Sequence, residues 1–522
     1  MQGFLILVLI IFSLALLVYL FLMFRKFFAT RFTAENPAAI IEKRKKYLEA
    51  VSALTEQSIS FLQKKLKDGN VNEALFILSL LEQSDGETAA PLIVSCISNK
   101  NFQVRMESAR ICRHKQMKSA AEAIVSALES EKNNSVLAEF VKAISVIASE
   151  TDIEKYLNHE NSEVACAAIA PLILKDEFHT QALDKLFELA DSDLVADRIN
   201  TANIIGEIQL PELANTLIIL LSDKDNDVQI AAIKSAGSFS SPTILEQLMV
   251  LFKRGAHTNY VIDALTVAGK KSIEVIKKYL FTESWSNSKN HLLLYVLGKI
   301  DGEEAVALLH RYLIGTEQNE NETLYVLCKC DARVEKFNAH YLEMISKNFL
   351  LASSIIFKLD GMERNNNSHL LMYKALLSNL EFVKEKLINL FSLVYDKEKM
   401  ILARVELELN SLKNFKRASE IIHEVIPHEH AAIFNYIFEP APIQESASKL
   451  FKLHPQENET LDFVFSDILK GNTRGYQDWT KACALYSMHE TKMKHADLVK
   501  DYLRSENFLI NETANFVHSE IL

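Results

Sequence analysis

The chain has 522 residues, 49% of them apolar and 24% charged, with only 13 glycines and 9 prolines. That composition excludes a disordered chain and a turn-rich sheet protein and predicts helices throughout. The formal net charge is −11; with seven Lys/Arg against two Glu, residues 1–46 are +5 and the remainder is −16, which argues against nucleic-acid phosphate as a partner.

The chain starts with an uncharged run that begins at Phe4 and ends at Phe24, FLILVLIIFSLALLVYLFLMF. At about 1.5 Å per residue, a helix of that length crosses a hydrocarbon core of roughly 30 Å. Met1, Gln2 and Gly3 supply no basic n-region, and Arg25 and Lys26 follow the run instead of preceding it. The segment therefore reads as a retained anchor, not a cleaved signal. Arg25, Lys26, Arg31, Lys43, Arg44, Lys45 and Lys46 all lie on its C-terminal side. The positive-inside rule then predicts a single pass through the inner (cytoplasmic) membrane, with the N-terminus outside and the body in the cytoplasm. Those cations also suit anionic lipid headgroups, at roughly 1 kcal/mol each near the surface. Phe27, Phe28 and Phe32 fit either the membrane interface or packing on the next helix. The Asn-x-Ser/Thr triplets at Asn133, Asn321, Asn366, Asn458 and Asn511 would stay unmodified in a cytoplasmic body.

Beyond Lys46 the pattern recurs. A polar turn leads to a valine and then an apolar helix face, as in NKNFQVRMESA, NHENSEVACAA and SDKDNDVQIAA. The recurring valines are Val71, Val104, Val136, Val164, Val195, Val228 and Val261, spaced 33, 32, 28, 31, 33 and 33 residues apart. LYVLGKIDG (294–302) and TLYVLCKCD (323–331) extend the series. Each unit reads as two helices. The first ends in a Leu-rich stretch such as LANTLIILL (213–221), and Asp and Asn in the turn cap the second. One pair cannot bury its own apolar face, so a period near 30 predicts a stacked α-solenoid.

These turn-Val-x-x-x-Ala units resemble HEAT repeats. The run from Phe24 through IEKRKKYLEAV and ISFLQKKLKDGNVNEALFILSLLEQ to NFQVRMESARI is also similar to the cytoplasmic extension of bacterial ATP/ADP-translocase-type nucleotide transporters, as is EKLINLFSLVYDKEKMILARVELELNS (385–411). In that family the last membrane helix runs through a basic linker into HEAT repeats. The resemblance implies the fold. It implies no transport activity, because the other membrane helices and the nucleotide site have no counterpart here.

From Glu335 the period fades while helices continue, at 340–359, 369–394, 397–412 and 414–425. GMERNNNS (361–368) and FEPAPIQES (438–446) read as loops, and residues 457–522 read as helices capping the stack. Trp285 and Trp479 sit near polar turns and are not read as site residues.

No constellation for chemistry emerges. HEVIPH (423–428) and HETKMKH (489–495) space their histidines by five and six, so neither pair shares a helix face as a zinc-binding His-x-x-x-His does. His423, His428 and His430 could meet at a corner, but a solvated loop is the expectation. Cys328 and Cys330 read as core thiols, since no second pair completes a zinc site. The scattered Cys96, Cys112, Cys166 and Cys483 fit a reducing compartment without disulfides. Gly-rich phosphate loops and Gly-x-Ser-x-Gly elbows are absent. No catalytic, cofactor-binding or metal residue is assigned.

The expectation is thus an all-α protein: a transmembrane anchor (1–25), a basic juxtamembrane linker (26–52), HEAT-like repeats (53–334) and further helical repeats with a C-terminal cap (335–522). Its expected role is a non-enzymatic, cofactor-free scaffold that holds a protein partner near the membrane. The alternative is a detached regulatory or assembly module of a nucleotide-transporter-like complex.

Overall fold

The computed structural model describes residues 37–521 except 85–87, 149–151, 176, 283–286, 317–318, 333–334, 363–366, 410, 454–460, 471–474, 491–495 and 506. The expected membrane span and Arg25, Lys26, Phe27, Phe28, Arg31 and Phe32 lie outside the described residues. Every element described is helical, and the chain divides into two compact units, Met1–Ser235 and Ala236–Leu522.

The first unit contains α1 (Pro37–Ala53), α2 (Glu56–Asp68), α3 (Val71–Gln83), α4 (Ala90–Ser95), α5 (Phe102–His114), α6 (Ala121–Leu128), α7 (Asn134–Ile147), α8 (Ser162–Ile173), α9 (His179–Ala190), α10 (Val195–Ile208), α11 (Ala214–Leu221) and most of α12 (Asn226–Phe239). The second helices of the repeats form a continuous ladder, α3 on α5, α5 on α7, α7 on α8 and α8 on α10. All of these but α10 start at a side-chain cap, as does α12. The side-chain oxygens of Asn70, Asn101, Asn133, Asn161 and Asp225 accept backbone N–H groups of the turn that follows, at 2.8–3.4 Å. Such a cap contributes about 1 kcal/mol and fixes the rotation of the helix.

Three residues past the cap comes the repeat position. Val104, Val136, Val164 and Val228 occupy it, all essentially fully buried. Val71 and Val195 do not: both are half-buried and sit two residues too early. The equivalent positions are Glu73 and Asp197, three beyond Asn70 and Leu194. The buried faces then coincide, with Ser108, Ala109, Ile111 and Cys112 of α5 matching Thr201, Ala202, Ile204 and Ile205 of α10. The short spacing of 28 has a simple cause. Between α7 and α8 the first helix shrinks to a single 3-10 turn, Glu154–Tyr156, with Ile153, Tyr156 and Leu157 in the core. Small residues set the closeness of the stack: a Cβ on Gly206 of α10 would meet Ser235 of α12 at 2.7 Å.

The second unit continues with α13 (Pro242–Arg254), α14 (Thr258–Ala268), α15 (Ile273–Thr282), α16 (Asn287–Ile300), α17 (Gly302–Gly315), α18 (Glu320–Lys329), α19 (Asn338–Gly361), α20 (Asn367–Val394), α21 (Lys397–Glu408), α22 (Leu412–Val425), α23 (His428–Phe438), α24 (Ile443–Leu453), α25 (Leu461–Leu469), α26 (Asp478–Glu490), α27 (Ala496–Lys500) and α28 (Phe508–Ile521). The ladder α14–α16–α18 ends on α20. The period fades because α19 and α20 are 24 and 28 residues long and pack along each other.

Buried polar contacts, not periodic valines, tie the later helices together. Asn379 of α20, fully buried, donates to the Gly475 carbonyl (3.1 Å) and accepts from the Gln477 N–H (2.7 Å) and Thr480 Oγ1 (3.1 Å). Gly475 has φ +141°, and a Cβ there would lie 2.2 Å from Leu351, so only glycine fits. Lys386 reaches Glu320 at 2.6 Å and Lys358 reaches Asp467 at 3.1 Å, both ammonium groups nearly sealed from solvent.

Val228→Asp tests the repeat register. Unlike Asp197, position 228 has no exposure, so an unpaired carboxylate would be trapped there and should cost about 3 kcal/mol or more. Urea unfolding would measure it; a change below about 0.5 kcal/mol, the size of an ordinary surface substitution, would rule the register out.

Candidate functional site

The residues that the sequence marks for membrane contact are divided by the structure. Lys43, Arg44, Lys45 and Lys46, expected in a linker, belong to helix α1, which opens at Pro37, where the missing N–H costs nothing. The helix is bound to the stack through Tyr47 and Val51, both buried. Tyr47 stacks on Phe61 at 5.9 Å and tilts against Phe76 at 6.4 Å. The cations surround this aromatic contact. The Arg44 guanidinium lies 5.2 Å from the Phe76 ring centre, Lys46 Nζ 5.0 Å from that of Phe61, and Lys43 Nζ 3.6 Å from Glu73. All four stay exposed. Each such contact is worth well under 1 kcal/mol, so together they leave the charge displayed to solvent.

The histidines do not gather. His423 and His428 meet ring to ring at 6.3 Å, and His423 Nε2 pairs with the Asn435 amide at 3.1 Å. His430 turns away to pack 5.5 Å from Phe349, and burial lowers its pKa. Among the described residues no group of three or more His, Cys, Asp or Glu is placed to hold a metal. His489 packs on Phe516 at 5.7 Å, and its sequence partner His495 lies outside the described residues. None of the six cysteines is in a disulfide. Burial pushes the Cys96 and Cys483 thiols up to about 11 and those of Cys112 and Cys166 up to about 12, which leaves them protonated and unreactive at neutral pH. Cys330 donates to the Val326 carbonyl at 3.4 Å and Cys328 to the Asn389 carbonyl at 3.2 Å.

A cavity of about 160 Å³ opens in the second unit, lined by His310, Tyr341, Tyr395, Glu335 and Asn338 among apolar neighbours. His310 is committed: Nδ1 pairs with the Tyr341 hydroxyl, and the ring stacks 4.4 Å from Phe337. Among the described residues, the lining includes no Ser, Thr, Cys or Lys.

Two recurrent guanidinium clasps escaped the sequence analysis. Arg105 grips Glu131 through Nε and Nη2 at 2.7 and 2.9 Å and donates Nη1 to the Asn99 carbonyl at 2.8 Å. Arg198 repeats the arrangement with Asp223 at 2.8 and 3.0 Å and the Ser192 carbonyl at 2.8 Å. Each arginine follows the repeat position by one residue, and its acid comes 25 or 26 residues later, in the next turn. One clasp therefore closes its own turn and binds the following repeat. Arg198 holds the Asp223 carboxyl below the usual carboxylate range, outweighing burial. Burial pushes Glu131 up, but Arg105 and the Asn133 and Lys132 N–H groups together hold it low.

A family model described as HEAT repeats matches residues 183–268, which run from α9 to the end of α14. No curated protein matches the chain. Among solved structures, the chain is similar to human deoxyhypusine hydroxylase in complex with glycerol (15% identity, TM-score 0.25, covering 53% of this chain and 97% of that one). Yeast importin-beta, Kap95p, is 11% identical with a TM-score of 0.32, over 90% of this chain and 79% of that one. Kap121p bound to Nup53p is 13% identical with a TM-score of 0.28, over 90% and 71%. Residues 183–268 are thus similar to HEAT repeats, and they carry the alternating helix pairs described above.

Asp223→Asn should lower stability by about 2 kcal/mol at pH 7, the loss of a charged, nearly buried hydrogen-bonded partner. Because the folded-state pKa of Asp223 is depressed, its contribution is present above the unfolded value of about 3.9 and lost as pH falls through the folded one. The difference between parent and variant should therefore shrink as the pH is lowered below about 4. Urea unfolding at several pH values would show it, and a gap that stayed constant down to pH 2 would contradict the clasp.

Proposed function

We propose that this chain is a non-enzymatic HEAT-repeat scaffold, anchored in the cytoplasmic membrane by residues 4–24, that holds a protein partner close to the bilayer. The observation that carries the scaffold is the stack itself. Its buried residues are spent on helix-to-helix contact, leaving broad helix faces for recognition. The anchor rests on the sequence: 21 uncharged residues followed by seven cations, four of which stay exposed on α1. Among the described residues, no helix is long and apolar enough to cross a membrane. Fixing a repeat domain to the bilayer raises the local concentration of any membrane-bound partner and strengthens weak contacts without new chemistry. Anionic headgroups beside α1 would add to the attachment.

A transport-associated role is the second reading. It is favoured by the resemblance of residues 24–111 and 385–411 to the extension of ATP/ADP-translocase-type transporters. In that case the chain would assemble with a separate membrane protein. The span offers little for helix pairing, since Ser13 and Ala15 are its only small residues.

Deletion of residues 1–24 separates the elements of the proposal. The truncated chain should move from the membrane pellet to the soluble fraction. Retention in the pellet would mean that the α1 cations or the body also bind the bilayer. Affinity capture of both forms under membrane-preserving conditions should return the same partner for a tethered platform; a membrane protein recovered only with the full chain would favour the transport-associated role.

A further inference from the structure

The end of the second unit carries an aromatic surface that the core does not use. α28 buries Ile510, Ala514 and Val517 against its neighbours, among them α26, a complete apolar stripe at helical spacing. Yet Phe508 on its other side is 78% exposed, Phe516 47%, and on α26 Trp479 is 48% and Tyr486 37% exposed. Two contacts align these residues. The Asn507 amide donates to Asp478 at 2.7 Å, joining the N-terminal ends of the two helices, so Trp479 and Phe508 emerge at the same end. Further along, Tyr486 and Phe516 stack at 6.3 Å with their planes 20° apart. The helices run parallel, and an aromatic pair marks each end of the surface between them.

Trp479 and Tyr486 are seven residues apart and Phe508 and Phe516 eight, about 10–12 Å along a helix axis. That is the distance over which an incoming helix presents anchors at i, i+4 and i+7. Exposed Trp and Tyr in such numbers form the kind of patch that marks a docking surface, not a solvated face. The charges choose the partner. α26 and α28 carry Asp478, Glu490, Glu512 and Glu520 against the single lysine Lys481, which already lies 3.9 Å from Asp478. Glu512 stands on the same face, one turn from Phe508 and one from Phe516.

We propose that the α26–α28 surface receives a basic amphipathic helix of a partner protein, its apolar residues seated on Trp479, Tyr486, Phe508 and Phe516 and its Lys or Arg facing the four carboxylates. The proposal rests on the scaffold reading and gives that scaffold's partner a chemistry.

The test uses the full chain in zwitterionic lipid nanodiscs with Trp285→Phe, so that Trp479 is the only tryptophan. The probe is an amphipathic peptide of about 18 residues with Leu at i, i+3, i+4 and i+7 and Lys elsewhere; a Leu/Glu peptide of the same pattern is the control. Trp479 emission should shift to the blue and saturate with the Lys peptide, and the Glu peptide should bind about tenfold more weakly or not at all. Phe508→Ala with Phe516→Ala should weaken binding by about tenfold while the circular-dichroism spectrum and a cooperative melt are kept, since Phe508 is exposed and Phe516 gives up only its ring contacts with Tyr486 and His489. Equal affinity for the two peptides, or affinity untouched by the double substitution, overturns the proposal. So does a blue shift that grows with protein concentration alone, which assigns the surface to a second copy. A shift produced by phosphatidylserine vesicles that the peptide cannot compete away assigns it to lipid and likewise overturns it. None of these outcomes bears on the scaffold reading, which stands or falls with the membrane capture experiment.

Discussion

The structure depends on one constraint: a helix pair of the repeats cannot bury its own apolar face. In α7, Val136, Leu137, Ala138, Phe140, Val141, Ala143, Ile144 and Ile147 are all buried, which takes more than half of the helix circumference out of solvent. One partner helix cannot cover that arc. Three do, because α7 touches α5, α6 and α8 together. Stability is therefore carried between repeats, and each repeat is held by its neighbours. The Asx caps make the arrangement reproducible, since a cap fixes where the helix starts and thus which residues turn inward. The guanidinium clasps act on the same joints, tying a turn to the acid of the next repeat.

That mechanism explains what was legible in the sequence and what was not. The cap and the buried valine three residues later form a short local signal, and four of the repeats of the first unit were read from it in the right register. At Asn70 and Leu194 the register slipped by two, because Glu73 and Asp197 stand where the valine should be. A carboxylate suits the first turn of a helix, where it meets the exposed N–H groups and the positive end of the dipole. The apolar mark disappears there while the helix start remains, and a nearby valine is mistaken for it. A similar substitution of signals hid α1. KRKK reads as a solvated charge run, but Tyr47 and Val51, four apart on one face, are buried, and Tyr47 finds Phe61 and Phe76.

In the second unit the helices were read well, and their tertiary links were not. The helices predicted at 340–359 and 369–394 appear as α19 and α20 with ends shifted by two residues or fewer. Nothing local announces that Asn379 will meet Thr480, 101 residues away. Lys358 and Lys386 look like surface lysines in the sequence. Each instead finds a carboxylate in a nearly sealed position, where breaking the pair would leave an uncompensated charge. Such contacts specify which long helix lies against which, a choice that apolar packing alone leaves open.

The same ambiguity governs where recognition can reside. In a stacked helix, core and docking residues are drawn from the same apolar types at the same spacing, so Phe508 and Phe516 are indistinguishable in sequence from Ile510 and Val517. Only the angle around the helix separates them, and that angle is set by what the helix packs on. Once Ile510, Ala514 and Val517 are committed to the interior, the aromatic residues are turned outward by geometry. Water contact there costs free energy with no gain to the fold, since the core is complete without them. The four carboxylates beside them narrow the choice further. An acidic rim discourages a second copy of an acidic chain, and it favours a partner that brings both apolar anchors and positive charge.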